Sequence, residues 1–280
     1  MQNFKISVIG AGFVGLTTSL GLARKGFKVL CIEKNRSKLL KLKKNKVFFY
    51  EPMLEENLKT LQKKKKIEFS ENFKPDKNKI NVIFICVGTP AKKKDIYDIS
   101  QIRKIISNLS RFKDKKFILV IKSTVFPGTI ENLKKKNKNR NIFFCSNPEF
   151  LREGLAWTDF MKPDRIIIGY DNNLVLKIMK KIYSKFNSKV IYTNFNTSEY
   201  IKVLSNNLLS NLISFSNLMA LTALKIGDID IKNSFNSVKL DKRWFGKPAS
   251  LSSYFHPGLG YGGYCLPKET KVLSNYLDKK

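Results

Sequence analysis

The sequence predicts an α/β fold in which helices cover both faces of a parallel sheet, followed by a helical domain. Short apolar runs bounded by turn residues alternate with helical patterns as far as Thr193. Beyond that point a long helical stretch contains neither Pro nor Gly until Gly227. We therefore expect a doubly wound sheet domain over residues 1–195 and a helical central domain over residues 196–280.

Each predicted strand is a short run rich in Val, Ile, Leu or Phe, which suits strands buried on both faces. The runs lie at residues 6–9, 29–32, 82–87, 117–121, 142–145 and 165–168. The helical stretch opens at Asn196 with Glu199 three residues later, the spacing of an N-terminal capping box. Thirty helical residues would extend about 45 Å, so the sequence predicts a long spine helix.

This spine helix carries an apolar stripe with two explanations, an ordinary core face or a homodimer surface. Spacings of three and four residues place its side chains on one helix face. The stripe consists of Ile201, Leu204, Leu208, Leu212, Phe215 and Met219.

The composition is strongly basic, with 53 Lys and Arg against 22 Asp and Glu and a net charge of +31. Such a charge raises the question of nucleic acid or an anionic membrane as a partner. Lysine runs at 63–66, 92–94 and 134–136 fall between the periodic segments, where a solvated surface explains them. No recognition motif accompanies them, so we expect neither partner. The same field can attract an anionic nucleotide substrate.

The four cysteines are widely spaced and form neither a CxxC pair nor a cluster with the single His. Neither a metal site nor a disulfide framework is therefore predicted. Reduced thiols, with no signal sequence and no apolar run of about 18 residues, predict a cytoplasmic protein without a membrane span.

A glycine-rich turn between the first strand and the first helix has the pattern of a dinucleotide-binding site. Gly10, Gly12 and Gly15 permit a tight turn and a close approach of backbone to a pyrophosphate. Glu33, at the end of the second strand, can accept hydrogen bonds from ribose hydroxyls and would repel a 2′-phosphate. The pattern predicts a Rossmann-type domain that binds NAD rather than NADP, although nearby basic residues weaken that preference.

Two further polar turns end later strands, at residues 87–90 and 123–125. In a parallel sheet the carboxyl ends of the strands lie on the edge where ligands bind. Thr89 and Thr124 are therefore candidate ligand contacts, although simple turn chemistry explains each turn taken alone.

Two pairs of polar residues are candidates for catalysis. Glu149 and Glu153 are four residues apart where the chain leaves a strand, so a helical turn there would point both carboxylates the same way. Lys202 and Asn206 have the same spacing on the spine helix and could hold an oxyanion or a water molecule. Taken alone, each pair is better explained as solvated polar groups on a helix.

Cys265 lies in the segment GYGGYCLPKE, residues 260–269. Glycines beside it permit close packing against a sugar, and Pro267 suits the first turn of a helix. The thiol would then lie near a positive helix end with Lys268 close by, and both effects lower a thiol pKa. The alternative, an inert buried thiol, suits the cysteines inside apolar strands, which are Cys31, Cys86 and Cys145.

Together these segments resemble the UDP-glucose/GDP-mannose dehydrogenase family, in family order over nearly the whole chain. The motifs are residues 10–15, 87–90, 122–129, 147–154 and 163–165, Lys202 with Asn206, and residues 260–268. The resemblance implies oxidation of the C6 alcohol of a nucleotide sugar to a carboxylate, with two NAD⁺ and a thioester on the cysteine. UDP-glucose is the implied substrate and UDP-glucuronate the product, with GDP-mannose or another nucleotide sugar as the alternative substrate.

The resemblance also implies roles for individual residues. The implied catalytic residues are Cys265 as the nucleophile, Lys202 and Asn206 beside the oxyanion and water, and Thr124, Glu149, Glu153 and Glu269 ordering or activating the water. The implied NAD contacts are Gly10, Gly12, Phe13, Val14, Gly15, Glu33, Lys38, Thr89, Thr124, Glu153 and Lys268. The implied substrate contacts are Phe150, Leu151, Glu153, Lys202, Asn206, Arg243, Tyr261 and Gly262.

The chain departs from the family pattern at three points. Glu269 stands where the family usually has Asp, and a carboxylate misplaced by about 1 Å can cost on the order of 100-fold in rate. The loop between Arg243 and Cys265 is longer than in shorter family members. The family's C-terminal nucleotide-sugar-binding domain is absent from these 280 residues. An NAD-binding remnant without turnover is therefore the alternative to an active enzyme.

Overall fold

The computed structural model describes residues 3–91, 97–240 and 260–277. The strands are β1 Phe4–Ile9, β2 Val29–Ile32, β3 Ile67–Ser70, β4 Ile80–Ile85, β5 Phe117–Ile121, β6 Ile142–Ser146, β7 Arg165–Gly169 and β8 Lys189–Thr193. The helices are α1 Phe13–Arg24, α2 Arg36–Lys43, α3 Leu54–Lys63, α4 Ser100–Leu109, α5 Thr129–Lys136, α6 Ala156–Met161, α7 Asn173–Tyr183, α8 Phe195–Ile226, α9 Ile231–Lys239 and α10 Cys265–Leu277. The chain divides into two compact units, Met1–Thr89 with Asp98–Lys202, and Pro90–Tyr97 with Val203–Lys280.

The first unit contains an eight-stranded sheet in the order β3-β2-β1-β4-β5-β6-β7-β8. Neighbouring strands from β3 to β6 pair in parallel, as do β7 and β8. The predicted doubly wound architecture is confirmed. The sheet is not wholly parallel, because β6 and β7 join through one antiparallel pair, Ser146 with Gly169.

Alternating side chains of the central strands build a separate core on each face of the sheet. Val82 and Phe84 of β4 pack in one apolar cluster, and Ile83 and Ile85 pack in the other. All four are fully buried, which explains why residues 82–85 of β4 form a continuous apolar run.

The spine helix α8 differs from the prediction at its first turn. It begins at Phe195, and Asn194 rather than Asn196 caps it by accepting a hydrogen bond from the Thr197 amide at 2.8 Å. The predicted capping box is wrong. The buried Glu199 carboxylate instead accepts hydrogen bonds from backbone amides at the start of α5, 2.7 Å from Gly128 N and 2.9 Å from Ile130 N. The predicted stop is confirmed, since α8 ends at Ile226 before Gly227, which has φ of 78°.

Most of the apolar stripe of α8 is exposed in this single chain. Leu204, Leu208, Phe215 and Met219 expose 51%, 45%, 51% and 42% of their surface. A core face is therefore the wrong explanation for this part of the stripe. By length and composition alone α8 could cross a membrane, since its most apolar window has a mean hydropathy of 1.2.

In the second unit α10 lies against α8. Thr270 Oγ1 lies 3.3 Å from Ser210 Oγ, and both Ser210 and Val272 are buried. The α10 residues that follow Cys265 are therefore fixed against the long helix.

Candidate active site

The glycine turn has the backbone geometry of a dinucleotide cradle. Gly10 has φ of 95°, and a Cβ there would lie 2.7 Å from the Cys86 carbonyl oxygen. A Cβ at Gly15 would lie 1.8 Å from the Gly10 carbonyl oxygen, so α1 can start this close to β1 only with glycine at that position. A Cβ at Gly12 would meet nothing within 4 Å, so the backbone there is open to a ligand. These features fit a bound pyrophosphate at the start of α1.

Glu33 follows β2 and lies beside this turn. Its Oε2 accepts a hydrogen bond from the Ala11 amide at 3.1 Å, and its Oε1 accepts one from the Asn35 amide at 2.8 Å. The carboxylate is thus held where β2 leaves the sheet. Lys38, on α2, places its Nζ 4.9 Å from the centre of the Phe48 ring.

Hydrogen bonds join the polar turns after β4 and β5 at the same edge of the sheet. The Thr89 hydroxyl donates to the Thr124 carbonyl at 2.8 Å, and the Ser123 hydroxyl donates to the Val87 carbonyl at 2.6 Å. Thr89 and Thr124 are both buried. The structure therefore brings together two residues that the sequence identified separately.

A buried ion pair lies at the end of β6. Lys202 Nζ is 3.1 Å from Glu149 Oε1, and their side chains are 7% and 9% exposed. Burial raises the pKa of Glu149, but the Lys202 ammonium, the Leu151 amide and the Lys122 charge outweigh it and hold that pKa below its usual value. The Phe150 ring lies beside the pair, with its centre 5.4 Å from Lys202 Nζ. The interpretation of Lys202 as a solvated surface group is wrong.

Glu149 and Glu153 do not share a helix face. The chain has no helix from Asn147 to Arg152, because Glu149 turns back to accept a hydrogen bond from the Leu151 amide at 2.7 Å. Glu153 follows in an exposed turn. The helical turn on which the prediction of two parallel carboxylates depended is therefore not formed.

Sequence reasoning gave no role to Glu51, which holds the loop around Glu153. Its buried carboxylate accepts hydrogen bonds from the Gly154 and Ala156 amides, each at 2.8 Å. These amides lie more than 100 residues from Glu51 in the sequence. The one available signal for Glu51 was its position directly after the aromatic run at residues 48–50.

Lys122 was named only as part of a motif, yet it is a buried charge next to the ion pair. Its Nζ lies 3.2 Å from Asn147 Oδ1 and 3.4 Å from the Asn147 carbonyl oxygen. The Tyr183 hydroxyl donates to the same Oδ1. Burial lowers the pKa of Lys122. A lysine directly after the apolar run of β5 was the available signal.

Cys265 occupies the first position of α10 in the second unit, and its side chain is exposed. Pro267 lies in the first helical turn, as predicted. Cys31, Cys86 and Cys145 are buried, and burial raises the pKa of Cys31 and of Cys86 to about 12. Cys265 is thus the accessible thiol, and the prediction of inert strand cysteines agrees with their burial.

Glu269 lies one turn after Cys265 and is 1% exposed. Lys268 Nζ approaches its Oε1 to 3.2 Å, but neither carboxylate oxygen has a hydrogen-bond partner among the described residues. Because the approach of Lys268 Nζ to this carboxylate lacks hydrogen-bond geometry, burial is the dominant effect on Glu269. Burial raises the pKa of Glu269 to about 8.

The remaining candidates lie in different surroundings. Asn206, on α8, is 7% exposed, and its Nδ2 has no hydrogen-bond partner among the described residues. It is therefore not a solvated surface group. Tyr261 is partly exposed and Gly262 is exposed, in the segment before α10. Arg243 lies outside the described residues.

Comparison with known proteins identifies the family. The NAD binding domain of the UDP-glucose/GDP-mannose dehydrogenase family matches residues 4–187, and the central domain of that family matches residues 196–280. The chain belongs to the UDP-glucose/GDP-mannose dehydrogenase family. The sheet unit therefore carries the NAD-binding domain of this family, and NAD is its cofactor.

Individual members of the family cover nearly all of the chain. It is 36% identical to the UDP-glucose 6-dehydrogenase of Rickettsia prowazekii over 98% of its own length and 62% of that protein's length. The UDP-glucose dehydrogenase structure from Pyrobaculum islandicum gives a TM-score of 0.88 at 31% identity, over 100% of this chain and 65% of that one. A GDP-mannose dehydrogenase from Pseudomonas aeruginosa gives 0.76 at 26% identity, over 98% and 64%. The chain thus spans less than two thirds of the length of these relatives.

Proposed function

We propose that the chain oxidises the C6 alcohol of UDP-glucose to the carboxylate of UDP-glucuronate in two NAD-dependent steps. The observation that carries this proposal is the exposed thiol of Cys265 at the start of α10, in a chain whose other three cysteines are buried. A thiol at a helix N-terminus is favoured as a thiolate nucleophile. The UDP-glucose 6-dehydrogenase relatives support the choice of sugar nucleotide.

NAD binding is proposed to use the edge of the sheet where β1, β2, β4 and β5 end. The backbone from Gly10 to Gly15, with Phe13 and Val14 at the start of α1, would hold the pyrophosphate, and Glu33 would accept hydrogen bonds from the ribose. Bound NAD⁺ supplies the acceptor for one hydride in each of the two oxidations. Further proposed contacts are Lys38, Thr89, Thr124, Glu153 and Lys268.

Cys265 is proposed to carry the substrate through the second oxidation. Loss of a hydride and a proton converts the C6 alcohol to an aldehyde, and the Cys265 thiolate adds to its carbonyl carbon as a thiohemiacetal. Loss of a second hydride gives a thioester. Water then cleaves the C–S bond, which releases the carboxylate and restores the thiol.

The charged residues are proposed to stabilise or position the reacting groups. The Lys202 ammonium and the Asn206 amide would donate hydrogen bonds to the oxyanion and to water. Thr124, Glu149, Glu153 and Glu269 would order or activate the hydrolytic water. The proposed substrate contacts are Phe150, Leu151, Glu153, Lys202, Asn206, Arg243, Tyr261 and Gly262.

GDP-mannose is the second candidate substrate, supported by the likeness to a GDP-mannose dehydrogenase structure. The test is NADH formation at 340 nm by the purified chain with NAD⁺ and either sugar nucleotide, followed by identification of the product. Acid from UDP-glucose supports the first proposal, and acid from GDP-mannose alone supports the second. NAD binding without NADH from either donor would favour a remnant without turnover.

The exposed apolar face of α8 is proposed as a homodimer surface, and the protein is proposed to act in the cytoplasm. The face contains Tyr200, Leu204, Leu208, Phe215, Leu218 and Met219, all exposed in the single chain. Contiguous exposed apolar surface of this kind marks an interaction site. The opposite side of α8 carries buried polar groups such as Lys202 and Asn206, which favour a surface helix of a soluble protein over a membrane span.

A further inference from the structure

Tyr97 is a buried residue of the second unit for which the proposed chemistry has no use. It is 6% exposed, and the centre of its ring lies 4.9 Å from Lys268 Nζ. The Tyr264 ring lies 5.2 Å from the same nitrogen, so the ammonium rests against two aromatic rings. Both distances are in the range of cation–π attraction.

The ring of Tyr97, rather than its hydroxyl, makes this contact. The hydroxyl is buried and has no hydrogen-bond partner among the described residues. Lys268 is only 7% exposed, and cation–π attraction is strongest for a desolvated cation. A lysine side chain usually extends its ammonium into water, so its burial here requires contacts that hold it.

Lys268 follows Cys265 by three residues on α10, so the two side chains are neighbours on one helix face. A positive charge held near a thiol favours the thiolate. We propose that Tyr97 is a positioning residue, whose ring holds the Lys268 ammonium on the turn of α10 that carries Cys265 and thereby keeps the thiol reactive. The inference deepens the proposed role of Cys265 and rests on it.

Among the described residues, two titratable side chains besides Tyr97 lie next to the Lys268 ammonium, Glu269 and Tyr264. Glu269 Oε1 lies 3.2 Å from Lys268 Nζ, but burial raises the pKa of this carboxyl to about 8, so its neutral form predominates at pH 7. Tyr264 is also neutral there, because partial burial and the nearby Cys265 charge raise its pKa. In the part of α8 that belongs to the second unit, the buried polar groups are Asn206, Asn207, Ser210 and Ser216, which do not titrate.

The test is the rate of alkylation of Cys265 by iodoacetamide as a function of pH, which requires no turnover. We expect Tyr97→Leu to slow alkylation about fivefold at pH 7, because the ammonium is released, and Tyr97→Phe to keep the wild-type rate. Tyr192→Leu is a matched control in the first unit, where Lys180 Nζ lies 5.3 Å from the Tyr192 ring, and it should change nothing. Cys265→Ser gives the background rate of the buried thiols.

A double-mutant cycle shows whether Tyr97 acts through Lys268. In a Lys268→Met background, Tyr97→Leu should have no further effect on the rate. The proposal is overturned if Tyr97→Leu alkylates at the wild-type rate, if Tyr97→Phe slows as much as Tyr97→Leu, or if the leucine effect persists without Lys268. If mass spectrometry shows that the Tyr97→Leu variant is alkylated at further cysteines, Tyr97→Met is used in its place. The same outcomes then support or overturn the proposal. A negative result with normal turnover would remove this inference alone.

Discussion

Glu149 and Lys202 are the residues whose surroundings most constrain the proposed chemistry. Each is nearly buried, and each compensates the charge of the other at 3.1 Å. Removing one partner of a buried pair leaves an unpaired charge in a medium that solvates it poorly. Sequence spacing identified both residues but not their pairing, because the contact joins positions 53 apart that only the fold brings together (202 − 149).

Lys202→Met is expected to destabilise the protein by about 3–5 kcal/mol, because it leaves the Glu149 carboxylate buried without its cation. Urea unfolding at pH 7 measures this, with the exposed Lys225→Met on the same helix as the control. In the wild type, Glu149 should contribute to the free energy of unfolding at pH values above the pKa of an unfolded glutamate. This contribution should be lost as the pH falls through the lowered pKa of Glu149 in the folded state. Equal stability of the two methionine variants would contradict this account of the pair.

Glu269 should make stability depend on pH in the opposite direction to Glu149. Its folded pKa is raised to about 8 from 4.5, so the folded state binds the extra proton and loses stability as pH rises between those values. We expect Glu269→Gln to reduce this loss, whereas Glu56→Gln at an exposed site should not. Urea unfolding from pH 5 to pH 9 measures both. A slope unchanged by Glu269→Gln would show that the carboxyl is not buried as described.

At the scale of elements, the sequence predicted those strands and the long helix whose residue pattern follows from a single cause, such as burial on both faces of the sheet. β5 and residues 82–85 of β4 are continuous apolar runs, because their alternating side chains pack in the apolar clusters on both faces of the sheet. β3 was missed, since its four residues include the exposed Glu68 on an edge strand. The reversal at β7 was missed because one pairing of Ser146 with Gly169, not a sequence pattern, sets it.

The hydrogen bonds from the start of α5 to Glu199 of α8 were not predicted from the sequence, because the spacing of Glu199 indicated a local capping residue. Glu199→Ala should remove the acceptor of one buried and one partly buried amide and lower the free energy of unfolding by about 1–3 kcal/mol. Hydrogen exchange should also become faster at the Gly128 and Ile130 amides. Thr197→Ala, at an exposed position on the same turn, is the control. Unchanged protection of those two amides against hydrogen exchange would contradict a stabilising contact between Glu199 and α5.

At the scale of the whole molecule, the exposed face of α8 should determine oligomeric state. Light scattering after size exclusion is expected to give a dimer for the wild type and a monomer for Leu208→Lys, because a charge at that position would be desolvated in the interface. Leu40→Lys places the same charge on another exposed leucine, 59% exposed on α2, and should leave the dimer intact. A monomeric wild type would exclude the dimer proposal.

Short motifs in the sequence, the glycine turn with Glu33 and the segment around Cys265, were enough to suggest both halves of the proposed chemistry. The sequence could not predict the contacts of Glu51, Lys122 and Tyr97, because their partners are distant in sequence. The boundary predicted at residue 195 and the roles assigned by resemblance stay predictions.

The central claim is that one chain carries out both oxidations through Cys265. The most direct measurement is the number of NADH formed per UDP-glucuronate by the purified chain with NAD⁺ and UDP-glucose. We predict two NADH per acid for the wild type and no acid from Cys265→Ala, because the thioester cannot form without the thiol. Acid formation by Cys265→Ala at the same two-to-one ratio would contradict the account.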